Sequence, residues 1–179
     1  SFERLIRELY QWVGSVNGIE SLWVGDKTPL NTLNLGVIGK AFPFAKFVFV
    51  ERDPVDVVQS YLNSGIYRNA LDAALRWKIS HDAWIRFKKH KSTHDVMEVR
   101  YEDLVSAPHD IVESIGTRFL IPKRPERRHF DASTLGDVSL RSHHSNVNKP
   151  PTTSSIGRGR KEMSNQNLSV IRKVLGKLP

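Results

Sequence analysis

The sequence predicts an α/β fold, a parallel sheet flanked by helices, and three observations carry that reading. Residues Lys46 to Glu51 (KFVFVE) form an almost unbroken aromatic and β-branched run, the pattern of a strand buried on both faces. The run stops at Arg52-Asp53-Pro54, where Asp53 suits an N-cap and Pro54 a first helical position, so a helix should follow at once. A second alternating run, Asp95 to Tyr101 (DVMEVRY), comes only after a long helical stretch. Strands separated by helices define a layered α/β architecture.

Each remaining element follows from local pattern. Phe2, Leu5, Ile6, Leu9, Trp12 and Val13 recur at helical spacing, and Gly and Asn between Ser15 and Gly18 supply a stop. That period is already running where the sequence opens, with no cap before it, as in a piece of a longer protein. A short extended run from Ser21 to Gly25 leads into Asp26-Lys27-Thr28-Pro29. Pro29 suits a first turn, so a helix is expected over Asn31 to Ala41, ended by Phe42 and Pro43. Beyond Pro54, Val55, Val58 and Leu62 give the next helix its apolar face. Asn69 to about Lys89 is helical, and most of Leu71, Ala74, Leu75, Trp77, Ile79, Trp84 and Phe87 are assigned to the core. Glu102 to Val105 reads as a turn, and Ile111 to Phe119 as a helix. Residues 122–160 hold few large apolar side chains and many Pro, Ser, Arg, Asn and His, a long surface segment either disordered or folded over a ligand. A last amphipathic helix over 165–178 would dock through Leu168, Ile171 and Leu175. Residues 1–179 are expected to form one domain.

Composition narrows the function classes. With 179 residues, 39% of them hydrophobic, the chain can bury one sizeable core. No run of eighteen apolar residues marks a membrane span. The absence of cysteine excludes disulfides, thiolate catalysis and cysteine-bound zinc, and it assigns no compartment. The histidines, His143 and His144 among them, lack a zinc-like partner set, so no metal is expected. A formal charge of +8 favours an anionic partner, whether nucleic acid, phosphorylated cofactor or acidic surface.

The turn after the first strand is where chemistry concentrates. A strand that delivers Arg52 to its C-terminal end, followed directly by a helix start, sets a guanidinium beside unpaired helix N–H groups, and both favour a phosphate. Ser60 lies about two helical turns further on, where its hydroxyl can share the same anion. Strand C-termini are where open α/β sheets bind ligands. The competing reading is structural: Arg52 and Asp53 pair with each other, or cap the helix.

The stretch Phe42 to Ser60 (FPFAKFVFVERDPVDVVQS) resembles the 3′-phosphate-binding segment of sulfotransferases that use 3′-phosphoadenosine 5′-phosphosulfate (PAPS). Three further segments match that family in order: Gly25 to Pro29 (GDKTP), Val99 to Val105 (VRYEDLV) followed by Pro108, and Ser155 to Ser164 (SIGRGRKEMS). The resemblance implies a P-loop-like fold and transfer of a sulfuryl group from PAPS to an acceptor hydroxyl or amine, with 3′,5′-adenosine bisphosphate as product. It implies that Arg52 and Ser60 bind the 3′-phosphate, that Lys27 contacts the transferring group, and that Tyr101 lies near the nucleotide. Gly157 and Arg158 would add phosphate contacts.

Two departures from the family pattern stand out. No segment resembles the Gly-rich phosphosulfate loop, which in the family precedes the part seen here. The sheet is therefore expected to be incomplete, and this chain alone is expected to be inactive. Cytosolic members place a catalytic His two residues after the matching lysine, where this sequence has Pro29; Asp26 is the nearby carboxylate, either as base or as a cap. Two rival classes remain. A P-loop enzyme such as a nucleotide kinase would need a GxxxxGK[ST] segment, which is absent. A basic module binding nucleic acid or another polyanion through Lys88 to Lys91 and Arg158 to Lys161 would need more than these short clusters, so no nucleic acid is expected. Acceptor and oligomeric state have no signature.

Overall fold

A computed structural model describes residues 2–16, 23–90, 95–122 and 150–176. Its elements, in chain order, are α1 (Phe2–Val16), a 3₁₀ turn (Pro29–Leu33), α2 (Leu35–Ala41), β1 (Lys46–Glu51), α3 (Pro54–Asn63) and α4 (Ala70–His90). These are followed by β2 (Asp95–Arg100), α5 (Tyr101–Ser106), α6 (Pro108–Phe119), a second 3₁₀ turn (Thr153–Ser155), α7 (Arg158–Glu162) and α8 (Asn165–Leu175). β1 and β2 pair in a two-stranded parallel sheet, which makes the chain an α/β protein. No helix among the described residues is long and apolar enough to cross a membrane.

The chain divides into two compact units, Ser1–Val48 with Ser80–Met97 and Phe49–Ile79 with Glu98–Pro179. In the first, Trp84 of α4 is 1% exposed, and its ring and that of Phe47 both lie against Phe87, with centroids 6.0 and 4.9 Å away. Lys46 Nζ and Asp95 Oδ2, 3.5 Å apart, link the starting ends of the two strands. Surface pairs Arg4–Glu8 and Arg7–Glu3 support α1 at four-residue spacing, each worth only a few tenths of a kcal/mol.

The second unit owes its core to α3, α4 and α8. Val55, Val58, Ala70, Ala73, Ala74, Met163 and Ile171 are buried together, with Tyr61, Leu62, Tyr67, Leu168 and Leu175 packed around them. The alanines let α4 approach closely, and the β-branched residues of α3 fill the space that this leaves. Asp53 caps α3 as its sequence predicts, its carboxylate accepting from the N–H groups of Val55 at 2.8 Å and Asp56 at 3.2 Å. Ser164 caps α8 by accepting from Asn167 N–H.

Several expectations need correction. The helix over Asn31 to Ala41 is broken at Asn34, whose side-chain amide donates back to the Leu30 carbonyl at 3.2 Å and competes with the helical ladder. Glu102 to Val105 belongs to a helix, α5, that takes over at Tyr101 directly after the strand, with Glu102 and Asp103 in its first turn where the dipole favours acids. β1 is covered on one face only: Phe47 and Phe49 are half-buried while Val48 and Val50 are exposed. In α4, Ala74 and Trp84 are buried, but Leu71, Leu75 and Ile79 are exposed because α4 turns its alanine stripe, not its leucine stripe, to the core. The final helix ends at Leu175 with Gly176 after it. Much of the stretch 122–160, with His143 and His144, lies outside the described residues, and its described end is partly helical.

The core of the second unit makes a direct prediction. Ile171→Ala removes a fully buried side chain and should cost about 2–5 kcal/mol of unfolding free energy, read from chemical denaturation.

Candidate functional site

The site is built where β1 runs into α3. Because α3 starts at Pro54 and turns once every 3.6 residues, Ser60 falls within about 20° of Asp53 and about 40° of Asp56 on the helix surface. Val55, Val58 and Leu62 occupy the opposite stripe and face the core. Ser60 therefore lies on the same stripe as the two acids and is partly exposed.

Arg52 precedes this helix and takes no carboxylate partner among the described residues. Its guanidinium lies over the Tyr101 ring, 4.3 Å from the centroid, a cation–π contact worth about 0.5–2 kcal/mol. Nη2 donates to the Ser155 carbonyl at 3.0 Å, and Nε is buried without a hydrogen-bond partner. The backbone around it is fixed too: Trp77 Nε1 donates to the Arg52 carbonyl at 3.3 Å, and Asp53 N–H donates to Glu102 Oε1 at 3.1 Å. Tyr101 is thus the platform for the arginine, and its hydroxyl is tied to Ser155 Oγ at 3.1 Å.

The pairing of Arg52 with Asp53 that the sequence left open does not occur. Asp53 is engaged by the α3 N–H groups and by Arg160 Nη2, which donates to Oδ2 at 2.7 Å. Asp56, 2% exposed, accepts from Gly157 N–H and Gly159 N–H, each at 2.7 Å. Gly157 adopts the left-handed region at φ 69°, which turns its N–H and that of Gly159 toward one point. The anion approached by the Gly157 backbone is therefore the Asp56 carboxylate. Arg158 pairs loosely with Glu162, Nε to Oε2 3.5 Å apart at the surface.

Gly159 is as constrained as Gly157, for a different reason. A Cβ on it would sit 2.5 Å from the Val55 carbonyl oxygen and 2.9 Å from Asp56 N, so α7 can lie against α3 only with glycine there. Sequence reasoning missed Asp56, Gly159 and Ser155. The spacing of Asp56 between Asp53 and Ser60 on one stripe was the available signal for the first; nothing local marks the other two.

Asp26 and Lys27 belong to the first unit. Both are exposed, on the segment leading into the 3₁₀ turn. Thr28 Oγ1 donates to Asp26 Oδ1 at 2.7 Å and Asn31 Nδ2 donates to Oδ2 at 3.0 Å. The Asn31 bond above all, then those from Thr28 and Tyr10, hold the Asp26 carboxyl below its ordinary value against the opposing push of burial. Tyr10 is raised in turn, by burial first and then by the Asp26 charge. A carboxylate stabilised by three donors has a reduced appetite for protons, and its visible work is to brace the loop that carries Lys27. Among the described residues no group of three His, Asp or Glu side chains is placed to hold a metal ion.

A model of the sulfotransferase family matches residues 2–125, well over half of the chain. The chain belongs to the sulfotransferase family, and the match spans Asp26, Lys27, Arg52, Ser60 and Tyr101. No curated protein and no solved structure matches it.

Gly159→Ala should force α7 away from α3, lowering stability by about 1–3 kcal/mol and speeding amide exchange across residues 156–163, measured by denaturation and hydrogen-exchange mass spectrometry. For Asp26, a depressed folded value means a stabilising contribution present above the ordinary 3.8 and lost as pH falls through the lowered value. The stability gap between the native chain and Asp26→Asn should therefore be open at neutral pH and close on acidification below about pH 4, followed by thermal melts across that range.

Proposed function

We propose that this protein transfers a sulfuryl group from PAPS to an acceptor hydroxyl or amine, and that the turn between β1 and α3 is its 3′-phosphate subsite. Family membership supports sulfuryl transfer in general. The observation that carries the nucleotide reading is Arg52. In a chain rich in carboxylates near this turn, Asp53, Asp56 and Glu102 are each taken up by other donors, while Arg52 keeps a buried Nε with no acceptor. Leaving such a donor unmet costs about 1–3 kcal/mol, a cost that an incoming phosphate oxygen would remove. The guanidinium is also held flat by Tyr101, which suits a phosphate approached through two parallel N–H groups.

PAPS supplies the activated sulfuryl group and its leaving phosphate. Within the protein, Arg52 orients the nucleotide by its 3′-phosphate, and Ser60 donates its hydroxyl to the same group from one turn beyond Asp56. Tyr101 positions Arg52. Arg158, tied only loosely to Glu162, is the further cation available to that phosphate. Lys27 stabilises negative charge on the oxygen that departs from sulfur and can donate a proton to it. The braced Asp26 keeps the Lys27 loop in place and is a poor base.

Binding of 3′,5′-adenosine bisphosphate to the intact native protein, measured by calorimetry, tests the assignment. A dissociation constant in the low micromolar range or below is expected, with loss of about a hundredfold or more in Arg52→Ala, since a buried charge-assisted contact is worth about 2–5 kcal/mol. A native protein indifferent to this nucleotide would sink the reading.

A further inference from the structure

We infer that Asp56 is a positioning residue for the nucleotide site: it sets the affinity for the nucleotide by holding the segment from Ser155 to Ser164 against α3, without touching the ligand. The inference rests on the reading of Arg52 and Ser60 as the phosphate subsite.

Neighbouring N–H groups turned inward by a left-handed glycine form a concavity that takes an anion. Here that concavity, at Gly157 and Gly159, is filled by the protein's own Asp56 carboxylate at 2.7 Å from each nitrogen. The segment's backbone is therefore spent on an internal anion, and what it can offer a phosphate is its side chains and their placement.

The placement runs through Ser155, two residues before Gly157. Its carbonyl accepts from Arg52 Nη2, and its hydroxyl meets Tyr101 OH. These two contacts fix the direction of the guanidinium between the ring below and the carbonyl beside it. Gly159, in contact with the Val55 carbonyl, leaves the segment no slack on the α3 side. Arg160 on Asp53 is a second tie, but it is exposed and joins side chains. The two backbone hydrogen bonds to the buried Asp56 carboxylate are the tie that determines where Ser155 sits.

The inference predicts a sign opposite to simple electrostatics. Removing a negative charge near a phosphate subsite should tighten phosphate binding if the carboxylate acts only through its charge. Removing the acceptor that docks the segment should weaken it, because Arg52 loses its fixed direction.

The experiment compares native protein, Asp56→Asn and Ile171→Val for affinity toward 3′,5′-adenosine bisphosphate, with amide exchange at Gly157 and Gly159 measured in parallel. Asp56→Asn keeps the side-chain volume but replaces one acceptor oxygen with a donor. It should weaken binding about ten- to hundredfold, the scale at which remote misplacement acts, and speed exchange of both glycine amides. Ile171→Val loosens the same core away from the clamp and should leave affinity within about twofold. Unchanged or tighter binding in Asp56→Asn, or equal weakening in Ile171→Val, overturns the inference while leaving the nucleotide reading intact. If the native protein does not bind the nucleotide, the reading itself fails and this inference falls with it.

Discussion

A carboxylate buried as fully as that of Asp56 carries a desolvation penalty of several kcal/mol unless its lone pairs are taken up, and among the described residues the donors that reach it lie 101 and 103 residues further along the chain. The second unit is organised around that demand. The amides of Gly157 and Gly159 are brought in together, which requires a left-handed residue at 157 and the absence of a side chain at 159. Once they are in place, Met163 and Ile171 are carried into the core beside Val55 and Val58. Polar satisfaction and apolar burial thus act on the same helix from opposite stripes, which is why one ten-residue element can organise both a core and a site.

The same arrangement decides what Arg52 can do. An arginine one residue from an aspartate would ordinarily be neutralised by it. Here Asp53 is occupied by the start of α3 and by Arg160, Asp56 by backbone amides, and Glu102 by the Asp53 N–H with Arg100 nearby. The acids are consumed internally, and the guanidinium is left on an aromatic face with a buried donor unmet. Such an arrangement costs stability, and under the proposed function an arriving phosphate would relieve that cost. The first unit repeats the theme more mildly: three donors hold the Asp26 carboxylate, and that carboxylate steadies the loop on which Lys27 is exposed.

What was legible in the residues alone was local. The limits of β1, the Asp53 cap and Pro54 at the first turn of α3 follow from rules that act within one or two turns of chain, and these rules hold here. Where a rule had a local competitor it failed: Asn34 bonded back to Leu30 and broke a helix, and two acids after Arg100 began α5 where a turn was expected. Periodicity found the helix α4 but not which of its stripes is buried, because small alanines and large leucines both fit an amphipathic pattern.

By itself, then, the sequence determined the α/β class, the strand that carries Arg52 and the family resemblance of the segments around it. Which groups meet was settled only by the folded chain: Tyr101 beneath Arg52, Gly157 against Asp56, Gly159 against Val55, Ser155 as the stop for the guanidinium. Those pairings join residues about fifty to a hundred positions apart, and no periodicity or capping rule acts at that separation. They are chosen by the burial of one carboxylate and by the close approach that a missing Cβ permits.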